Sequence, residues 1–204
     1  MSIVAKGIYG IGLNDADYST QTIERLPNGK QKVHWRCPYY VRWYAMFARS
    51  YSSSSLAHRP SYRGCSVSEE WYRFTEFKKW MESREWEGLH LDKDLLVFGN
   101  KVYGEDYCVF ITPIVNTFIS EIQAKNVDLP VGVSWHKRDE IYQGYCNNPF
   151  TKMREHLGYF ECYQEAHLAW VARKLGLAKD LAVIQTNPLV ADALVYRYEN
   201  YGKH

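Results

Sequence analysis

Three runs decide how this chain is read: Gly132-Val133-Ser134-Trp135-His136, Ile141-Tyr142-Gln143-Gly144-Tyr145-Cys146, and Arg154-Glu155-His156-Leu157-Gly158-Tyr159-Phe160. Turn-forming stretches separate them, Lys137-Arg138-Asp139-Glu140 and Asn147-Asn148-Pro149. Apolar and polar residues alternate in each run, the period of a half-buried strand. The pattern predicts three short antiparallel strands. A helix should follow over Tyr163 to Leu175, with Ala166, Ala169 and Trp170 on one side and Gly176 as its stop. Parity then divides the sheet. Val133, Trp135, Tyr142, Gly144, Cys146, Leu157 and Tyr159 should face the helix. Ser134, His136, Arg138, Gln143, Tyr145, Asn147, Arg154 and His156 should face away. A sheet buried on one side leaves the other free for a partner.

The free side has the chemistry of a nucleic-acid reader. Arg reaches phosphate or guanine, and Asn or Gln reads adenine. A plainly solvated face would show the same alternation. Charge does not decide between them: residues 130–178 hold six Lys+Arg against five Asp+Glu, so long-range attraction to phosphate is modest.

Upstream, Tyr40, Trp43, Tyr44 and Phe47 fall at helical spacing, with Pro38 suited to the first turn. Ser52 to Ser55 reads as a loop extending to Pro60. Ser66 and Glu69 are spaced as a capping box before a second aromatic stripe of Trp71, Phe74, Phe77 and Met81. Both stripes read as core. Leu89 to Asp94 and Val109-Phe110-Ile111 read as strands about a Gly99-Asn100-Lys101 turn, and Pro113 opens a short helix with Ile114, Val115, Phe118 and Ile119. Residues 1–35 form an N-terminal arm with a glycine-rich strand at Ile8 to Leu13 and a turn at Pro27-Asn28-Gly29-Lys30. The expected organisation is the arm over 1–35, a first module over 36–122, a linker over 123–130, the sheet module over 131–178 and a helical tail over 179–204.

Composition bounds the function. The 204 residues hold 25 Lys+Arg and 23 Asp+Glu, which excludes a polycation held to its partner by bulk charge. No apolar run is long enough to span a membrane, so no membrane partner is expected, and with no apolar signal stretch the cytoplasm is the expected compartment. Five widely spaced cysteines without a Cys-x-x-Cys pair argue against a zinc site. Tyr 17, Trp 7 and Phe 8 make the chain unusually aromatic, and their helical spacing assigns most of them to packing.

Two family resemblances add to this reading. Gly132 to Arg138, Tyr142-Gln143-Gly144-Tyr145, His156-Leu157-Gly158-Tyr159-Phe160 and Glu165-Ala166-His167-Leu168-Ala169 together resemble the APETALA2-type DNA-binding domain, most closely the versions appended to phage and prophage endonucleases. That resemblance implies a three-stranded sheet lying in the major groove with the helix behind it. It assigns groove contacts to Ser134, His136, Tyr145, Asn147, Arg154 and His156, and double-stranded DNA as the partner. The sheet carries fewer Arg than plant members do.

The second resemblance covers residues 38–120. Tyr62-Arg63-Gly64-Cys65-Ser66-Val67, Glu70-Trp71, Leu91-Asp92-Lys93-Asp94, Gly99-Asn100-Lys101-Val102-Tyr103 and Cys108 resemble phage HNH endonucleases. It implies a ββα-metal fold, water activated by a His, and a divalent metal such as Mg²⁺. Here the family's Asp-His pair aligns with Asp92-Lys93, and its Asn before Cys aligns with Tyr107. Asp92, Lys93 and His90 are therefore the candidate catalytic residues, and Asp92 with Asn116 the candidate metal ligands. The expected protein is α+β, an HNH-like module followed by an APETALA2-like one. Its expected function is metal-dependent DNA cleavage at a degenerate site. The alternative is a non-catalytic regulator or inhibitor that binds DNA or a host protein on a decayed nuclease fold. Nothing marks an oligomeric state.

Overall fold

The computed structural model describes residues 7–120 and 129–203. The chain is α+β, with short strands in small sheets, and divides into two compact units at Phe110/Ile111. Most of the 123–130 linker lies outside the described residues. Among the described residues no helix is long and apolar enough to cross a membrane.

The first unit is built on an aromatic core. Helix α1 (Pro38–Tyr51) starts with Pro38 in its first turn and buries Trp43, Met46, Phe47 and Ser50. Those positions are one stripe, rotated from the expected one: Tyr44 stays 42% exposed. The sequence after Ser66 does not enter a helix at once. It forms strand β3 (Ser66–Val67) and a 3-10 turn at Glu69–Tyr72, and only then helix α3 (Phe74–Glu82). The capping-box spacing is thus spent on a turn. Phe74, Phe77, Trp80 and Met81 point inward from α3, and Phe77 and Trp80 meet Trp71. Trp43 donates its indole N–H to the Trp71 carbonyl at 2.8 Å, so the polar atom of a fully buried ring is satisfied. Ser53–His58 is helical (α2), because the Ser52 hydroxyl caps it by accepting from the Ser55 amide.

Part of the expected arm packs on this core, through Ile8, Ile11 and Ala16. Leu13 N–H bonds the Tyr72 carbonyl and its own carbonyl accepts from Phe74 N–H. Gly12 lies so close to the Phe47 and Trp43 rings that a Cβ would sit 3.1 Å from them. Asp15 then caps α3 from a distance. Its carboxylate accepts from Thr75 N–H at 3.0 Å, Thr75 O–H at 2.8 Å and Arg73 at 3.1 Å. Residues Gln21–Arg25 (β1) and Gln31–Arg36 (β2) form an antiparallel hairpin. Its loop is the Pro27-Asn28-Gly29 turn, with Gly29 at φ +77°. Short strands β4 (His90–Asp92), β5 (Val102–Tyr103) and β6 (Val109–Ile111) complete two small pairs, β3 with β5 and β4 with β6.

The second unit holds helix α4 (Pro113–Ser120), strands β7 (Val133–His136), β8 (Ile141–Asn147) and β9 (Arg154–Phe160), and helices α5 (Tyr163–Val183) and α6 (Pro188–Glu199). The strands are antiparallel in the order β7-β8-β9, and α5 packs on one face. Helix α5 does not stop at Gly176. A mid-helix glycine costs about 1 kcal/mol against alanine. Burial of Leu177, Ala178 and Leu181, with Val190 and Leu194 of α6 also in the core, offsets that cost. Lys174 is fully buried, donates to the Phe118 carbonyl of α4 at 3.1 Å, and lies 3.6 Å from the centre of the Phe118 ring. Tyr198 O–H reaches the same carbonyl.

Two outcomes test this packing by thermal and denaturant unfolding. Gly132 has φ +83°, and a Cβ there would lie 2.2 Å from Trp170 Cγ. Gly132→Ala should therefore cost roughly 2–4 kcal/mol. Asp15→Ala should cost about 1–2 kcal/mol through loss of the cap. Burial raises the Asp15 pKa, but the Thr75 and Arg73 hydrogen bonds together outweigh it and hold the carboxyl below its usual range. The stability Asp15 contributes is complete above the ordinary carboxylate range and lost as pH falls through that lowered value. The wild-type and Asp15→Ala melting curves should converge in acid.

Candidate nucleic-acid interface

Register fixes what the sheet shows. Paired residues share a face, and Ser134 pairs with Gln143, Tyr145 with His156, and Asn147 with Arg154. His136 shares the Ser134 side of β7. The structure thus brings Ser134, His136, Gln143, Tyr145, Asn147, Arg154 and His156 onto one face, with α5 on the other. Arg138 lies beyond the end of β7, in the turn, where its Nε donates to Asp139 at 2.7 Å.

A register shift alters one member. Gly144 pairs with Gly158 and Tyr145 with His156, so Leu157 is an extra residue in β9. Strict alternation placed Tyr159 against the helix. The bulge turns it outward, opposite Gln143 and 57% exposed, and turns Phe160 inward against Gly144. Tyr159 is the residue that alternation alone missed; the neighbouring Gly158 was the available sign of an irregular strand.

The outward side chains make a continuous ladder. The Arg154 guanidinium sits 3.8 Å from the centre of the Tyr145 ring. His156 lies edge-on to Tyr145 at 5.1 Å and to Tyr159 at 4.8 Å, and His136 is 6.5 Å from Tyr159. Tyr145 O–H donates to Gln143 Oε1 at 2.7 Å, which orients an otherwise buried amide. The outward strand positions carry no carboxylate. Glu155, next to Arg154, points inward to Arg173 at 2.6 Å and Asn148 at 2.7 Å. Those hydrogen bonds, Arg173 foremost, lower its pKa to about 2. The outward strand positions therefore present cationic, imidazole, amide and phenol groups, a composition suited to phosphate and base edges, and a carboxylate beside them is Asp139 of the turn, 3.2 Å from His136 Nδ1.

The nuclease-like residues are arranged otherwise. Asp92, at the end of β4, accepts from the amides of Asp94 at 3.0 Å and Leu95 at 2.7 Å through a single oxygen, Oδ1. Lys93 is buried and donates to the Asn100 carbonyl at 2.9 Å and to Asp94 at 3.3 Å. Asn100 closes the loop by donating to the carbonyls of Lys93 and Val102. These groups hold a turn together. His90 is exposed at the start of β4, and Asn116 lies in α4 of the second unit. Among the described residues no three His, Cys, Asp or Glu side chains gather as a metal site. A Mg²⁺ ion needs several oxygen donors in octahedral array. With Oδ1 of Asp92 committed to two amides and an ammonium next in sequence, these residues do not fit that ion. No protein-family model, curated protein or solved structure matches the chain.

Asp92 also tests this assignment. Burial and the Asp94 charge raise its pKa, against the opposing amide hydrogen bonds. Its ionised form therefore costs stability as pH rises through that value. Asp92→Asn keeps an acceptor for both amides without the charge. It should melt at or above the wild-type temperature at pH 7, with the difference vanishing in acid. Asp92→Ala strands two amides and should lose roughly 1–3 kcal/mol.

Proposed function

We propose that this chain is a duplex-DNA-binding protein that docks the outward face of β7–β9 in the major groove. The carrying observation is the Arg154–Tyr145–His156–Tyr159 ladder beside Gln143 and Asn147, on outward strand positions without an acidic residue. A twisted three-stranded sheet brings such side chains to base edges as a set, and α5 behind it holds them in place. The APETALA2-like pattern of residues 132–169 supports the same docking. In this reading the HNH-like stretch serves as a scaffold, because Asp92 and Lys93 are engaged in the turn that follows β4. The phage-type resemblance supports action inside an infected cell, and the engagement of Asp92 and Lys93 in that turn favours a regulator or inhibitor over a cutter.

Anisotropy titration of labelled duplex, run beside plasmid incubation with Mg²⁺ or Mn²⁺, tests both halves. Binding should fall steeply with salt. Arg154→Ala should weaken it by about tenfold, the loss expected of one good groove contact. No duplex binding at low salt would overturn the proposal. Plasmid cleavage abolished by Asp92→Asn would restore the endonuclease reading.

A further inference from the structure

The β1–β2 hairpin is a second surface, and the first unit's core does not use it. Every strand residue except Gln21 is exposed, Ile23, Val33 and Trp35 included. Its base is fixed: Cys37 N–H donates to the Thr20 carbonyl at 2.9 Å, and both residues are buried. The ribbon thus projects from an anchored root. Between Gln21 and Arg36 it carries Arg25, Lys30, Lys32 and Arg36 against the single carboxylate of Glu24. That carboxylate is itself 2.8 Å from His34 Nε2.

Pairing arranges these groups. Gln21 lies opposite Arg36, Ile23 opposite Val33, and Arg25 opposite Gln31, all on one side of the ribbon. An aliphatic pair is thus flanked at each end by an amide and a guanidinium. Arg meets guanine, Gln meets adenine, and aliphatic carbon meets the thymine methyl. The other side carries Thr22 opposite Trp35 and Glu24 opposite Lys32. The apolar side chains are split between the two sides, so the ribbon has no single apolar face to lay on a lipid surface. Two strands are about 4.8 Å apart. A ribbon of that width enters the roughly 12 Å major groove of B-DNA but not the narrow groove of A-form RNA.

We infer that the β1–β2 hairpin is a DNA-binding arm that inserts its Gln21–Ile23–Arg25/Gln31–Val33–Arg36 side in a major groove. It acts independently of the β7–β9 face. Lys30 and Lys32, at and beside the tip, meet the phosphates flanking the groove.

The test uses the full chain and a B-form duplex, with a variant combining Arg25→Gln, Lys30→Gln, Lys32→Gln and Arg36→Gln. All four side chains are exposed, so the melting temperature should hold. Duplex affinity at 0.1 M salt should fall at least about tenfold, and the slope of log affinity against log salt should flatten by about 2 to 4, close to one per lost phosphate contact. Hydrogen exchange on the wild-type chain gives a reading that needs no variant: duplex should protect the amides of residues 21–36. Unchanged affinity and slope with no protection there would overturn the arm and leave the sheet proposal standing. Full sensitivity to the hairpin variant with none to Arg154→Ala would do the reverse. Equal competition by double-stranded RNA, hairpin-dependent binding to anionic vesicles without duplex binding, or hairpin-dependent dimerisation would each overturn the arm.

Discussion

A single inserted residue, Leu157, governs what the second unit offers to solvent. Side chains in a strand alternate with period two, so one extra residue exchanges the faces of everything beyond it. Upstream of the bulge, Arg154 and His156 look outward and Glu155 looks inward to Arg173. Downstream, Tyr159 rather than Gly158 joins the outward set, and Phe160 seats against Gly144. Without the insertion the ladder would end at His156 and the ring of Phe160 would be in water. The same irregularity thus completes the outward ladder and the packing beneath α5. Bulges commonly re-aim side chains at functional edges in this way.

The first unit shows how a local pattern can be spent on stability. Its aromatic rings close around Trp71, Phe77 edge-on and Trp80 tilted, and the Trp43 indole is tied to the backbone there. Around that core, polar side chains are spent on holding the backbone. Asp92 holds two amides, Lys93 fills a buried slot against Asn100, and Asp15 reaches across the chain to cap α3. In each case a buried amide or ammonium without its partner would be costly, so the side chain is held to that partner.

What sequence made legible follows from periodicity. The strands near 133, 141 and 154, the helix after Tyr163 and the helix after Pro38 were marked by clean alternation or helical spacing with a start signal. Apart from Arg138, which lies in the turn after β7, the outward set holds up to Leu157, because parity holds until a residue is inserted. Three features resisted. Gly176 has the look of a helix stop, yet burial on both sides of it carries α5 onward. The role of Asp15 depends on a partner sixty residues away. The hairpin gave a readable turn at Pro27-Asn28-Gly29, but its strands are exposed on both faces and so lack the alternation that burial imposes.

Lys174 bears on how such a module can travel between proteins. The alternating pattern begins near Gly132, and a recombination boundary drawn by pattern would fall there. The ammonium of Lys174, however, is buried in α5 and answered by the Phe118 carbonyl, on a helix encoded before that boundary. A segment inherited without α4 would arrive with that carbonyl missing and the Phe118 ring gone from its cation. The unit of inheritance therefore has to be larger than the sheet and the helix behind it. A lineage that separates the sheet from α4 should show an apolar residue at the position of Lys174.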